Sequence, residues 1–130
     1  MMDGNVLIVD DEPDLLELTK IYLEKTGDFT VDIAESAREA LEKMQTTTYD
    51  AVVSDYEMPE MNGIEFLKTV RGSGSDMPFI IFTGKGREDV VIEAINEGAN
   101  FYLQKGGQPK AQFAELSHKI RQATSHKQAQ

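Results

Sequence analysis

What most restricts the fold of this chain is a rhythm, in which short apolar runs separated by longer stretches of helical period recur five times. A short continuous apolar run suits a buried strand, whereas apolar residues at every third or fourth position suit a helix packed on one side. Strands and helices in alternation are the pattern of βαβ units wound around a parallel sheet. The strand runs are residues 6–9, 30–34, 51–53, 79–82 and 101–103. Residues 30–34 alternate polar and apolar, with Val31 and Ile33 on one face, as expected near a sheet edge, while Phe79-Ile80-Ile81-Phe82 is apolar throughout, as expected of a strand covered on both faces.

The helical stretches have their own punctuation. Leu15, Leu16, Leu18, Tyr22 and Leu23 recur at helical spacing until Gly27 offers a stop. Ser36 is an N-cap residue type with Glu39 three positions on, the capping-box spacing, ahead of a stripe of Ala37, Ala40, Leu41 and Met44. After the turn 57–63, Phe66, Leu67 and Val70 point one face inward until Gly72-Ser73-Gly74-Ser75. A fourth helix is predicted from about Arg87, with Val91, Ala94, Ile95 and Gly98 on one face. Pro109 opens the last helix, with Phe113, Leu116, Ile120 and Ala123 as its stripe, and the polar chain from Ser125 onward is expected to fray.

A chain of 130 residues fits one domain, predicted over 1–125 with a polar tail at 126–130, no interdomain linker and no appended effector. The net charge of −10 repels phosphate backbones, which argues against direct nucleic acid or anionic membrane as partner and for a cation. The absence of cysteine removes disulfides, thiolate chemistry and zinc clusters, and suits a reducing compartment. With no apolar run of membrane-spanning length and no signal-peptide pattern at Met1-Met2-Asp3-Gly4, a cytoplasmic location is expected.

In an open parallel sheet, ligands bind beyond the carboxyl ends of the strands. Here the first strand ends at Asp10-Asp11, the third at Asp55, the fourth at Thr83 and the fifth just before Lys105. Three carboxylates crowded on one rim repel one another, and a hard dication resolves the conflict. Mg²⁺ takes oxygen ligands and is commonly held by one or two carboxylates together with phosphate oxygens. A carboxylate can also attack phosphorus, and the transferred group then needs cations and donors of the kind that Lys105 and Thr83 supply. Taken singly, each residue has a plainer reading. Asp10-Asp11-Glu12-Pro13 is a serviceable helix start, Asp55 a turn residue, Thr83 a strand end and Lys105 a solvated amine. Their coincidence on one rim favours a metal and phosphoryl site. His118 and His126 lie off the apolar stripe and read as solvated, and the methionines, Met58 and Met61 included, as packing.

From Val6 to about Ala123 these residues resemble the receiver domains of response regulators in two-component signal transduction. Val9-Asp10-Asp11-Glu12-Pro13 is similar to the family's acidic pair, and Asp55-Tyr56-Glu57-Met58-Pro59-Glu60-Met61-Asn62-Gly63 to its phosphoacceptor loop. Thr83-Gly84 and Tyr102-Leu103-Gln104-Lys105 are similar to its switch Thr/Ser, switch aromatic and lysine. The resemblance implies a doubly wound (βα)₅, flavodoxin-like three-layer sandwich with strand order 2-1-3-4-5. It also implies a phosphoacceptor switch rather than an enzyme, in which Asp55 takes a phosphoryl group from a histidine kinase or histidine phosphotransfer domain. Asp10, Asp11, Asp55 and the backbone carbonyl of Glu57 would hold Mg²⁺, and Lys105 would pair with the phosphoryl group. Thr83 and Tyr102 would move on phosphorylation, changing the surface of the fourth helix, fifth strand and fifth helix toward a downstream effector or a second copy of the chain. The family usually follows its lysine with proline, whereas this chain has Lys105-Gly106-Gly107. The glycine-rich Gly84-Lys85-Gly86 could ease loop movement, with Lys85 placed to pair with Glu57 or the phosphate.

Three rivals fit less well. An aspartate-nucleophile phosphatase of the haloacid dehalogenase type would want Asp-x-Asp after the first strand, where Asp10 and Asp11 are adjacent. A flavodoxin-like flavin binder would want hydroxyls and free N–H groups in that acidic loop. A pseudo-receiver that only docks would want a damaged acidic site.

Overall fold

The computed structural model describes residues 4–26, 29–84 and 88–128. Five strands and five helices alternate: β1 (Gly4–Val9), α1 (Pro13–Thr26), β2 (Phe29–Ala34), α2 (Ala37–Thr46), β3 (Ala51–Ser54), α3 (Gly63–Gly72), β4 (Phe79–Thr83), α4 (Glu88–Asn96), β5 (Phe101–Gln104) and α5 (Pro109–Gln128). The strands form one parallel sheet in the order β2-β1-β3-β4-β5, the doubly wound arrangement expected from the sequence. Because side chains alternate across a strand, the sheet builds two cores. Leu7, Val9, Val52, Phe79 and Ile81 meet Ala37, Ala40, Phe66, Leu67, Val90 and Ala94 from α2, α3 and α4. On the opposite face Val6, Ile8, Val53, Ile80 and Leu103 meet Leu16, Leu23, Phe113, Leu116 and Ile120 from α1 and α5.

The edge strand β2 is closed by side chains. The N–H of Val31 donates to the Glu24 carboxylate of α1 at 3.1 Å, and the Lys43 ammonium of α2 donates to the carbonyl of Ile33 at 2.6 Å. An open edge would template pairing with another chain, and charged residues that occupy its backbone groups prevent this.

Several local readings needed adjustment. Ser36 caps α2 by accepting from the Glu39 N–H at 3.1 Å, but the Glu39 carboxylate returns to the N–H of Glu35, one residue before the cap. The complete capping box belongs to α3, where Asn62 and Glu65 bond reciprocally. In α4 the buried positions are Val90 and Ala94 with Val91 half-buried; Ile95 is 48% exposed, and Gly98 lies past the helix end at φ +104°. The run Val90-Val91-Ile92 allows two helical phases, and packing on the sheet selects the one through Val90. Arg87, where this helix was expected to begin, lies outside the described residues, as do Gly27 and Lys85. Helix α5 runs to Gln128, past Ser125, with no glycine or proline to interrupt it. No described helix is long and apolar enough to cross a membrane.

Candidate functional site

The carboxyl ends of β1, β3 and β4 open onto a cleft of ≈ 850 Å³ lined by Asp11, Asp55, Glu57, Thr83 and Lys105, with Asn62 and Met58 from the loop and helix cap beyond β3. Backbone pairing fixes the rim. The N–H of Asp10 donates to Ala34 at 3.1 Å, that of Asp55 to Val9 at 2.9 Å and that of Lys105 to Thr83 at 2.8 Å, so each residue leaves its strand locked to a neighbour.

Asp10, Asp11 and Asp55 converge as predicted, each offering a carboxylate oxygen, with these oxygens within 4.8 Å of one another. Asp10 is 4% exposed and serves two partners. One oxygen accepts the Glu12 N–H at 3.0 Å, so the plain reading of a residue that organises a helix start holds as well. The other faces the Lys105 ammonium at 2.7 Å, which stands at 3.4 Å from Asp55. Burial pushes the Asp10 carboxyl above the usual carboxylate range, and the adjacent Lys105 pulls it part of the way back. Lys105 also lies 5.5 Å above the Phe82 ring, a second contact that suits a desolvated cation. Asp55 accepts the Tyr56 N–H at 2.7 Å, which fixes the carboxylate against the start of its own loop.

The loop beyond Asp55 is held by a close approach that the sequence reading passed over. The Gly63 N–H donates to the Tyr56 carbonyl at 2.8 Å, and a Cβ on Gly63 would stand 2.2 Å from the Asp55 carbonyl oxygen. Only glycine fits there, and the signal was available in Asn62-Gly63-Ile64-Glu65, a capping sequence that starts α3 directly beside β3. Glu60, in the same loop, has φ +70°, a conformation that side chains other than Gly and Asn seldom adopt.

The remaining predicted residues fall on or beside the cleft. Thr83 is buried at the end of β4 and lines it, as does the exposed Glu57. Tyr102 is half-buried, paired with Ile81 in register, and packs against the core on the α4 side of the sheet, not into the cleft. Gly106 and Gly107 adopt φ +144° and +80°. Proline is confined near −65°, so the chain path after Lys105 excludes the residue that the family usually places there. An all-oxygen donor set of three clustered carboxylates fits a hard dication such as Mg²⁺ and does not suit a soft metal.

Residues 6–120 match the family model described as response regulator receiver domain. Response regulator Rre1 of Synechocystis is 32% identical over 127 residues, covering 96% of this chain and 53% of Rre1; the chain spans about half the length of the curated relatives it matches. A receiver domain of Clostridium thermocellum superposes with a TM-score of 0.86 at 32% identity, covering 97% of this chain and 98% of the other. The response regulator TrrA of Thermotoga maritima, solved in complex with Mg²⁺-BeF, superposes with a TM-score of 0.80 at 32% identity, covering 95% and 99%. With its flavodoxin-like fold and its acidic rim, this chain belongs to the response regulator receiver domain family of two-component signal transduction.

Proposed function

We propose that this receiver domain, spanning residues 1–125, is a phosphoacceptor switch with Asp55 as the acceptor. The observation that carries the reading is the convergence of the Asp10, Asp11 and Asp55 carboxylates, with Asp10 and Asp55 paired to one ammonium, that of Lys105. Asp10, Asp11, Asp55 and the backbone carbonyl of Glu57 are the ligands for Mg²⁺, which when bound supplies positive charge to the phosphoryl oxygens. The donor is the phosphohistidine of a kinase or histidine phosphotransfer domain. An Asp55 carboxylate oxygen forms the new O–P bond as the N–P bond breaks, and the bonding pair leaves with the imidazole nitrogen. Lys105 then pairs with the phosphoryl group, whose charge competes with Asp10 for the ammonium. The Thr83 hydroxyl donates to a phosphoryl oxygen from the neighbouring strand end.

Phosphorylation alters the surface of α4, β5 and α5 through Thr83 and Tyr102, and that surface meets a downstream effector or a second copy of the chain. The domain promotes only its own phosphorylation and dephosphorylation, and the acidic surface keeps it off nucleic acid in a cytoplasmic setting. Intact mass after incubation with acetyl phosphate tests the reading. One phosphate is expected with Mg²⁺ present and none on Asp55→Ala; equal incorporation on Asp55→Ala refutes Asp55 as the acceptor. Incorporation unchanged by chelation refutes the role of the metal.

A further inference from the structure

Between α1 and α5 lies a second groove, of ≈ 530 Å³, which among the described residues shares no lining residue with the acidic cleft. Tyr22 and Phe113 form its aromatic wall, stacked with ring centroids 4.8 Å apart and planes 20° from parallel. Lys25, Lys110 and Arg121 line it, and among the described residues no carboxylate does, in a chain whose net charge is −10. The Arg121 guanidinium lies 5.4 Å from the Phe29 ring, while Lys25 and Lys110 are both exposed.

One buried group gives this arrangement its meaning. Ser117 lines the groove, is 3% exposed, and its hydroxyl has no hydrogen-bond partner among the described residues. Helix hydroxyls commonly turn back to the carbonyl four residues earlier. Thr19, Thr69 and Thr124 do so at 2.8, 2.9 and 3.0 Å. Ser117 makes no such bond to Phe113. A desolvated donor without an acceptor is uncommon, and its place in a groove lined by two lysines and an aromatic wall makes up the donor set of an anion site with an apolar side.

The geometry points to a binding site for an amphipathic organic anion, an aromatic or alkyl body carrying a carboxylate, sulfonate or phosphate. The body packs on the half-buried Tyr22 ring, which the buried Phe113 backs by stacking, the head lies between Lys25 and Lys110, and the Ser117 hydroxyl donates to it. A ligand held this way ties the last turn of α1 to the first half of α5, stiffening one layer of the sandwich from a place remote from Asp55.

Backbone amide shifts of the ¹⁵N-labelled protein titrated with phenylacetate test this, with uncharged phenylacetamide and ringless acetate as controls. Saturable shifts are expected at residues 22–25 and 110–121, with a Kd on the order of 1 mM for so small a ligand. Both controls bind about tenfold more weakly or less. Lys25→Gln combined with Lys110→Gln weakens phenylacetate about tenfold, and Ser117→Ala about threefold, with neither lowering the melting temperature. Equal binding of phenylacetamide, shifts that map elsewhere, or no saturation up to about 50 mM overturns the site. Should the double lysine variant melt early, a rise in the melting temperature of the unaltered protein with phenylacetate but not phenylacetamide decides in favour, and its absence against.

Discussion

Replacing Gly63 by alanine is the sharpest probe of how the phosphoacceptor loop is built. Gly63 opens α3, and by helix propensity alone alanine is the better residue by about 1 kcal/mol. The new Cβ would nevertheless lie 2.2 Å from the Asp55 carbonyl oxygen and 3.0 Å from the Tyr56 Cα, both backbone atoms that no rotamer change can clear. The gap must open by about 1 Å, either by lifting α3 and its buried Ile64, Phe66 and Leu67 or by pushing Asp55 out of line with Val9. Overpacking of this kind costs about 3 kcal/mol, which for a domain of this size lowers the melting temperature by about 10 °C. A displacement of about 1 Å at the acceptor slows phosphorylation on the order of 10- to 100-fold. Calorimetry and the rate of mass gain with acetyl phosphate measure the two effects. A Gly63→Ala protein that melts within about 2 °C of the parent and phosphorylates at its rate refutes the reasoning.

Three further outcomes follow from the polar contacts. Burial holds the Asp10 carboxyl above its ordinary range, so the folded protein binds that proton more tightly than the unfolded chain, and stability falls as pH rises from the ordinary carboxylate range through the folded value. Metal-free Asp10→Asn is therefore more stable than the parent at neutral pH, by a margin that shrinks toward pH ~4 in thermal melts, and it binds Mg²⁺ more weakly by titration. Tyr49 donates to Asp32 at 2.6 Å, and burial, with that carboxylate, pushes its hydroxyl up to about 12. Its stabilising contribution is complete below pH ~10 and lost as pH rises through the folded value, so Tyr49→Phe melts about 5 °C lower at pH ~7 and loses the steepest alkaline part of the stability curve. Arg71 donates to the Gly98 carbonyl at 2.7 and 3.3 Å and to Ser75 at 3.2 Å, tying the end of α3 to the turn before β5; Arg71→Met costs about 2 kcal/mol by denaturant titration.

The alternation of strands and helices and the acidic rim were legible because they rest on what a linear chain displays well, apolar runs and the polar residue at which each run ends, whereas the strand order came only from the family resemblance. Asp10, Asp11, Asp55, Thr83 and Lys105 could be placed on one rim without coordinates, since a parallel sheet brings all carboxyl ends to one side. The phase of α4 could not be read this way, because Val90, Val91 and Ile92 satisfy either face and only the sheet surface decides. The Gly63 contact joins backbone atoms eight residues apart; the capping sequence at Asn62 marks where α3 starts, but how near that start lies to Asp55 shows only in three dimensions. The unequal distances from Lys105 to Asp10 and Asp55 are side-chain geometry that a linear pattern does not carry, and the positive φ of Gly106 and Gly107 is likewise a property of the folded loop. Nor was the α1/α5 groove visible, since no motif or spacing singles out Lys25, Lys110 or Ser117.

The two charged side chains that occupy the outer edge of β2 bear on how copies of this domain can assemble. A strand from another chain, added there, would have to displace the Glu24 carboxylate from Val31 and the Lys43 ammonium from Ile33, returning two charges to water before gaining any backbone bond. Continuous cross-chain sheets are therefore disfavoured at that end. Polymerisation through it needs both α1 and α2 to release the strand, so early aggregates in partly denaturing solution should incorporate material in which those helices have already detached.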